Sequence, residues 1–102
     1  MIKIATKKSL VAVVLDAGTD AGFAAARRLL ADGYRVVVTA RRAGALVGIT
    51  HGFSAGQVYA VAADTDDRRQ MDELLARACA RLGRVDIIVD PRLPNAVLQL
   101  TA

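Results

Sequence analysis

Tryptophan is absent from this chain, and other aromatic side chains are few: two phenylalanines and two tyrosines in 102 residues. A surface that stacks nucleobases on aromatic rings is therefore not built here, and no recognisable nucleic-acid motif accompanies the positive charge. Histidine occurs once, at His51, in a glycine-rich segment without partners for a metal site. Asp64, Asp66 and Asp67 read as acids at a helix start, so no metal is expected. The single cysteine, Cys79, excludes an internal disulfide and suits a reducing compartment. Its place beside the apolar face of a helix predicts a half-buried structural thiol, with no histidine placed to activate it. Long apolar runs are missing too: Leu10–Leu15 is far too short to span a bilayer. The opening Met1-Ile-Lys-Ile-Ala-Thr-Lys-Lys8 reads as a frayed lead-in, without the apolar core and cleavage site of a secretory signal. The expectation is a cytoplasmic protein with no membrane and no nucleic-acid partner.

What is present is aliphatic. Hydrophobic residues make up 54% of the sequence, most of them Ala, Val and Leu, which suits close helix–sheet packing in one domain spanning residues 1–102. The net charge of +4 comes mainly from eleven arginines, scattered as pairs and singles that read as solvated helix faces.

Strands and helices alternate along the chain. Leu10–Leu15 is a continuous β-branched-rich run, the pattern of a strand buried on both faces in a parallel sheet. Phe23, Ala26 and Leu30 mark the apolar stripe of a helix over Asp20–Asp32, with Gly33 as its left-handed cap. Arg35–Thr39 is a second strand. Arg41–Phe53 is expected to form a short or irregular helix, because Gly44, Gly48 and Gly52 each weaken a helix by about 1 kcal/mol relative to Ala. Gln57–Ala63 is a third strand. Met71, Leu74, Leu75, Ala78 and Leu82 then define one face of the strongest helix, with Asp66 as its expected N-cap, Gly83 as its stop and a Glu73–Arg77 pair on its outer face. Val85–Val89 is a fourth strand, closed by Asp90-Pro91. The Pro94–Ala102 tail carries Val97, Leu98 and Leu100, enough for a docking segment but not for an independent element.

This rhythm means βαβ units with right-handed crossovers and four parallel strands in the order 3-2-1-4, flanked by helices in three layers. The first strand is then central, and ligands bind outside the carboxyl ends of the strands at that switch point. Val11-Ala-Val-Val-Leu-Asp-Ala-Gly-Thr-Asp-Ala-Gly-Phe23 is the strand, turn and helix start where a phosphate group would sit. Its turn carries two anions, Asp16 and Asp20.

From about Lys8 to Val89 the chain resembles the N-terminal half of a short-chain dehydrogenase/reductase, a Rossmann-like fold. Val13-Val-Leu-Asp-Ala-Gly-Thr-Asp-Ala-Gly-Phe23 stands in place of that family's Thr-Gly-x-x-x-Gly-x-Gly loop. Arg27–Arg42, Ala63–Asp67 and Met71–Val89 are similar to its following helix, strand ends and fourth strand. The resemblance implies a dinucleotide site at Ala17, Gly18, Thr19 and Gly22. It also implies that Arg41 and Arg42 suit an adenosine 2′-phosphate, favouring NADP over NAD, and that Asp64 and Thr65 flank the adenine.

The departures argue the other way. Leu15 and Asp16 stand where the family has Thr and its first Gly, and Asp20 replaces the second; Gly22 alone keeps the third. A carboxylate 4–6 Å from a phosphate costs about 1–4 kcal/mol, so two of them are expected to weaken or abolish dinucleotide binding. Asp90-Pro-Arg-Leu93 replaces the family's Asn-Asn-Ala-Gly. The family's catalytic Ser and Tyr-x-x-x-Lys have no counterpart, since neither Tyr34 nor Tyr59 is followed four residues later by Lys. The expectation is therefore a truncated half-domain with no catalytic residues and no dehydrogenase activity on its own. An alternative resemblance, to Rossmann-like methyltransferases, rests on Asp16-x-Gly18-x-Asp20-x-Gly22 and Asp90-Pro91, and implies S-adenosylmethionine. A third reading is structural: Val85–Val89 is expected to present an open edge that the Pro94–Ala102 tail, a second copy or a partner chain covers, giving a homo-oligomer or docking onto a larger protein.

Overall fold

The computed structural model describes residues 10–54, 56–92 and 97–99. The lead-in expected over residues 1–8 lies outside the described residues. β1 (Val11–Val14) is buried along its whole length, as its β-branched run requires. It pairs in parallel with β2 (Arg35–Ala40) on one side, Val13 opposite Val37, and with β4 (Ile87–Val89) on the other, Val13 opposite Ile88. β3 (Val58–Ala62) adds outside β2, so the parallel strands run 3-2-1-4, the Rossmann-like order.

Helices cover both faces. α1 (Asp20–Ala31), a 3-10 turn over Ala43–Leu46 and the short α2 (Val47–Thr50) lie on one, where Ala26, Leu30, Leu46 and Ile49 pack on Val14, Val36 and Val38. α3 (Arg68–Leu82) lies on the other, where Leu74 and Ala78 pack on Val13, Val37, Val61 and Ile88. The glycine-rich stretch after β2 thus forms a broken helix, as its composition predicts. Gly33 and Gly83 both take positive φ at helix ends, 95° and 87°.

Four expectations need correction. α3 is capped by Asp67, whose carboxylate accepts from the backbone N–H groups of Arg69 and Gln70; Asp66 is released for other partners. Cys79 is exposed, because one further helical step carries it off the face that Ala78 buries. Arg77 donates to the Tyr59 hydroxyl at 3.1 Å, and no Glu73–Arg77 ion pair forms among the described residues. The tail does form an element: β5 (Val97–Gln99) pairs antiparallel with β4, Ile88 opposite Leu98. It satisfies backbone groups that β4 would otherwise leave unpaired, so β4 is not an open edge. Val85 and Asp86 precede the strand. The rest of the Pro94–Ala102 tail lies outside the described residues.

Candidate functional site

The carboxyl ends of β1, β2, β3 and β4 bring together the turns on which a ligand of this fold would rest. The β1–α1 turn is tightly determined. Ala17 is buried and its N–H donates to the Thr39 carbonyl at 2.8 Å. Thr19 is the N-cap of α1. Its hydroxyl donates to the Asp16 carbonyl at 2.7 Å and accepts from the Gly22 N–H at 3.1 Å. One of the helix-start donors that a bound anion would use is therefore already taken. Gly22 lets α1 approach the turn: a Cβ there would lie 2.1 Å from the Asp16 carbonyl oxygen. Gly18 sits against Ala45, whose Cβ a side chain at 18 would meet at 2.9 Å.

Asp16 holds φ at 48°, the left-handed conformation for which the related loop uses glycine. Aspartate is among the few residues that tolerate this region, so the turn survives the substitution. Its carboxylate does not stand alone. Arg92, on the segment after β4, places Nε 3.2 Å from Asp16 Oδ2. The same guanidinium forks onto both oxygens of the nearly buried Asp90, each at 3.0 Å, and its Nη1 lies 2.7 Å from Asp66 Oδ1. Arg41, at the end of β2, reaches Asp66 at 3.2 Å and Asp64 at 3.4 Å. Four carboxylates and two guanidiniums thus form one network across the carboxyl edge of the sheet.

The electrostatics follow from this geometry. Hydrogen bonding from Arg92, then its charge, holds the Asp66 carboxyl below its ordinary range. Arg92 does the same to Asp90 against the opposing push of burial. These carboxylates stay ionised, and the guanidinium that serves them is itself held more firmly protonated.

Of the residues expected to hold a dinucleotide, the structure brings Ala17, Gly18, Thr19 and Gly22 together in the β1–α1 turn. Arg41 and Asp64 meet in the neighbouring network. Asp64 accepts from the Asp66 N–H at 3.0 Å, and its own N–H is taken by Gln70 at 2.8 Å. Thr65 is half-buried in the same turn, and Arg42 is exposed with no ion pair among the described residues. Sequence reasoning missed Arg92 altogether. The signal available was that the two motifs depart from the family pattern together, an acid at 16 and a base at 92. Among the described residues, no group of three or more His, Cys, Asp or Glu is arranged to hold a metal ion, and no helix is long and apolar enough to cross a membrane.

Comparison with known proteins matches residues 10–96 to the short chain dehydrogenase family model. A curated relative, a hexahydro-indene-carboxyl-CoA reductase of Mycobacterium tuberculosis, is 37% identical over 84 residues, which are 79% of this chain and 32% of that protein. A solved metagenomic short-chain oxidoreductase in complex with NADP superposes with a TM-score of 0.72 at 31% identity, covering 79% of this chain and 38% of that one. A 3-ketoacyl-(acyl-carrier-protein) reductase of Brucella melitensis, solved with NADH, gives a TM-score of 0.74 at 27% identity, covering 82% of this chain and 34% of that one. The chain therefore spans about a third of the length of these relatives. The matched family is that of the dehydrogenases, not the methyltransferases.

Proposed function

The chain belongs to the short-chain dehydrogenase family, and we propose that it is a single dinucleotide-binding-type domain whose cofactor crevice is filled by its own side chains, with NAD(P) binding weakened or lost. The observation that carries this reading is the Arg92 guanidinium, lodged between Asp16, Asp66 and Asp90 at the switch point where a dinucleotide of this fold lies. A nucleotide entering there has to displace a fork held by three carboxylates, and it then meets those carboxylates with its own phosphates. Asp20, at the first position of α1, adds an exposed negative charge beside the turn.

What affinity is left leans to NADP. Arg42 is available to a 2′-phosphate at the end of β2, while Arg41 is engaged by Asp64 and Asp66. Gly18, Thr19 and Thr65 would line the remainder of that site, over the buried Ala17 and Gly22. Chemistry by these residues alone is not expected. Tyr59 lies between Arg77 and Arg81, Tyr34 packs against the core, and neither has a lysine in the spacing that would lower its hydroxyl pKa. The domain's remaining role is association, as a homo-oligomer or docked onto a larger protein, through the sheet edge that now runs along β5 rather than β4 and through the Pro94–Ala102 tail.

Thermal shift with NADPH, NADH and S-adenosylmethionine tests the reading. A ligand at 100 times its Kd stabilises by about 2.7 kcal/mol, so silence with all three supports a filled crevice. A small shift confined to NADPH supports the residual site. A large shift with NADPH or NADH refutes the reading, and a shift with S-adenosylmethionine alone refutes the choice of ligand class.

A further inference from the structure

At the far side from β5 the sheet ends at β3, and no strand lies beyond it among the described residues. Its bonds to β2 use alternate residues: the Val36 N–H donates to the Gln57 carbonyl at 2.8 Å, and the Ala63 N–H to the Ala40 carbonyl at 2.9 Å. In a parallel ladder these two bonds fix the rest. Tyr59 and Val61 turn their backbone groups towards β2, whereas Val58, Ala60 and Ala62 turn theirs outward. The Val58 N–H is taken by the Ser54 carbonyl at 3.1 Å. Ala60 and Ala62 keep both groups, and both residues are exposed. A sheet edge is ordinarily blunted by proline, charge or a bulge. Val58-Tyr-Ala-Val-Ala62 carries none of them, and its register with β2 is unbroken.

The helix beside this edge carries a matched pair of charges. α3, antiparallel to β3 as a crossover helix must be, presents Glu73 and Arg77 there, both exposed. Glu73 has no partner among the described residues, and Arg77 has the neutral Tyr59 hydroxyl in place of an acid. Between helix and strand lies a depression of about 50 Å³, lined by Val61, Ala63, Glu73, Leu74 and Arg77. That volume suits a side chain of an added strand and is far too small for a cofactor.

We propose that this edge pairs with the β3 edge of a second copy of the chain, antiparallel about a two-fold axis at Val61. Pairing about that point sets Ala60 opposite Ala62 of the second copy and Ala62 opposite its Ala60. Each pair exchanges both of its N–H···O bonds, so the backbone groups left free are the ones used. On the α3 side the same register sets Tyr59 beside the second copy's Ala63, large against small. The two α3 helices then run antiparallel, with the unpaired Glu73 of each copy on the side of the other's Arg77. This self-complementary charge selects a second copy over an unrelated extended peptide. The contact lies on the opposite edge from β5 and stands whether or not a dinucleotide binds at the crevice.

Sedimentation equilibrium of the whole chain tests the pairing, with circular dichroism to show that each variant is folded. The wild type should form a concentration-dependent dimer. Ala60→Pro removes an outward N–H and no bond to β2, and should raise the dimer Kd by about tenfold or more. Glu73→Arg and Arg77→Glu each set like charges against one another in their own dimers and should weaken association by about tenfold. An equimolar mixture of those two variants pairs opposite charges again and should return to within about threefold of the wild type. The mixture decides the matter even where Ala60→Pro fails to fold. A strict monomer overturns the proposal and leaves the edge to an extended segment of another protein. A dimer indifferent to the charge reversals, or a mixture no tighter than either variant alone, overturns it as well and moves the self-contact elsewhere, as to β5.

Discussion

Arg92 and Asp16 form an ion pair, Nε to Oδ2 at 3.2 Å, that ties the segment after β4 to the turn after β1. Both stand where the family's motifs have other residues, a glycine at the position of Asp16 and an Asn-Asn-Ala-Gly run at the position of Asp90-Pro-Arg-Leu93. The two departures are thus one feature: the acid that takes the left-handed position in the first turn is met by a base arriving from the second.

The pair should be measurable and modest. Its side chains keep 46% and 28% of their exposure, so solvent screens it. In a double-mutant cycle of Asp16→Asn with Arg92→Gln, the coupling read from urea unfolding should be favourable but small, as for other solvent-screened pairs, and should shrink as salt is added. Asparagine keeps the tolerance for positive φ, so the cycle reads the charge and not the backbone. A coupling of zero would mean that Asp90 and Asp66 alone hold the guanidinium.

Stability should fall in acid. Asp66 and Asp90 are held below their ordinary value by Arg92, and Asp67 by Gln70 and the helix-start N–H groups. Burial pushes Asp86 up, but Arg84 and the Val11 N–H bring it below as well. Each carboxyl therefore binds fewer protons folded than unfolded once the pH is near or below 3.8. Their contribution is complete above that value and is lost as pH falls through the depressed range. Urea midpoints should be flat between about pH 5 and pH 7 and drop steadily below about pH 4. Midpoints that rise on acidification would contradict the network.

Two glycines should respond in opposite ways. Gly22→Ala drives a methyl to 2.1 Å from the Asp16 carbonyl oxygen, backbone that cannot step aside, and should destabilise by about 3 kcal/mol or more. Gly44→Ala meets no atom within 4 Å and should stabilise by roughly 0.4–1 kcal/mol through the unfolded chain. Thermal melts of the two variants check both signs.

How much of this was legible beforehand depends on the range of the interaction. The apolar run of β1, the stripe of α3 and the glycines that end α1 and α3 are local signals, and they place the parallel sheet and its order. The cap of α3 is not legible to the residue, because Asp66 and Asp67 are equivalent as helix starters until Arg41 and Arg92 claim the first. Pairing of β5 with β4 is a contact between two separate segments of the chain, and three residues of strand carry no periodicity to read. The Arg92 network was the least legible. Position 92 is 76 residues from position 16 in the chain, and only the closed sheet brings them together. The sequence marks Arg41 as a ligand-binding residue; its capture by Asp64 and Asp66 is visible only in three dimensions.

The filled crevice is tested most directly by calorimetric titration of NADPH into the wild-type chain and into an Asp16→Gly/Asp20→Gly/Arg92→Ala variant. Removing the two acids and the plug restores glycine to the turn and clears the switch point. The account predicts no heat or a millimolar Kd for the wild type, and a gain of about 100-fold or more in the variant, the return of roughly 2.7 kcal/mol that the carboxylates and the Arg92 fork withhold. Micromolar binding of NADPH by the wild-type chain, unchanged by the three substitutions, would contradict it.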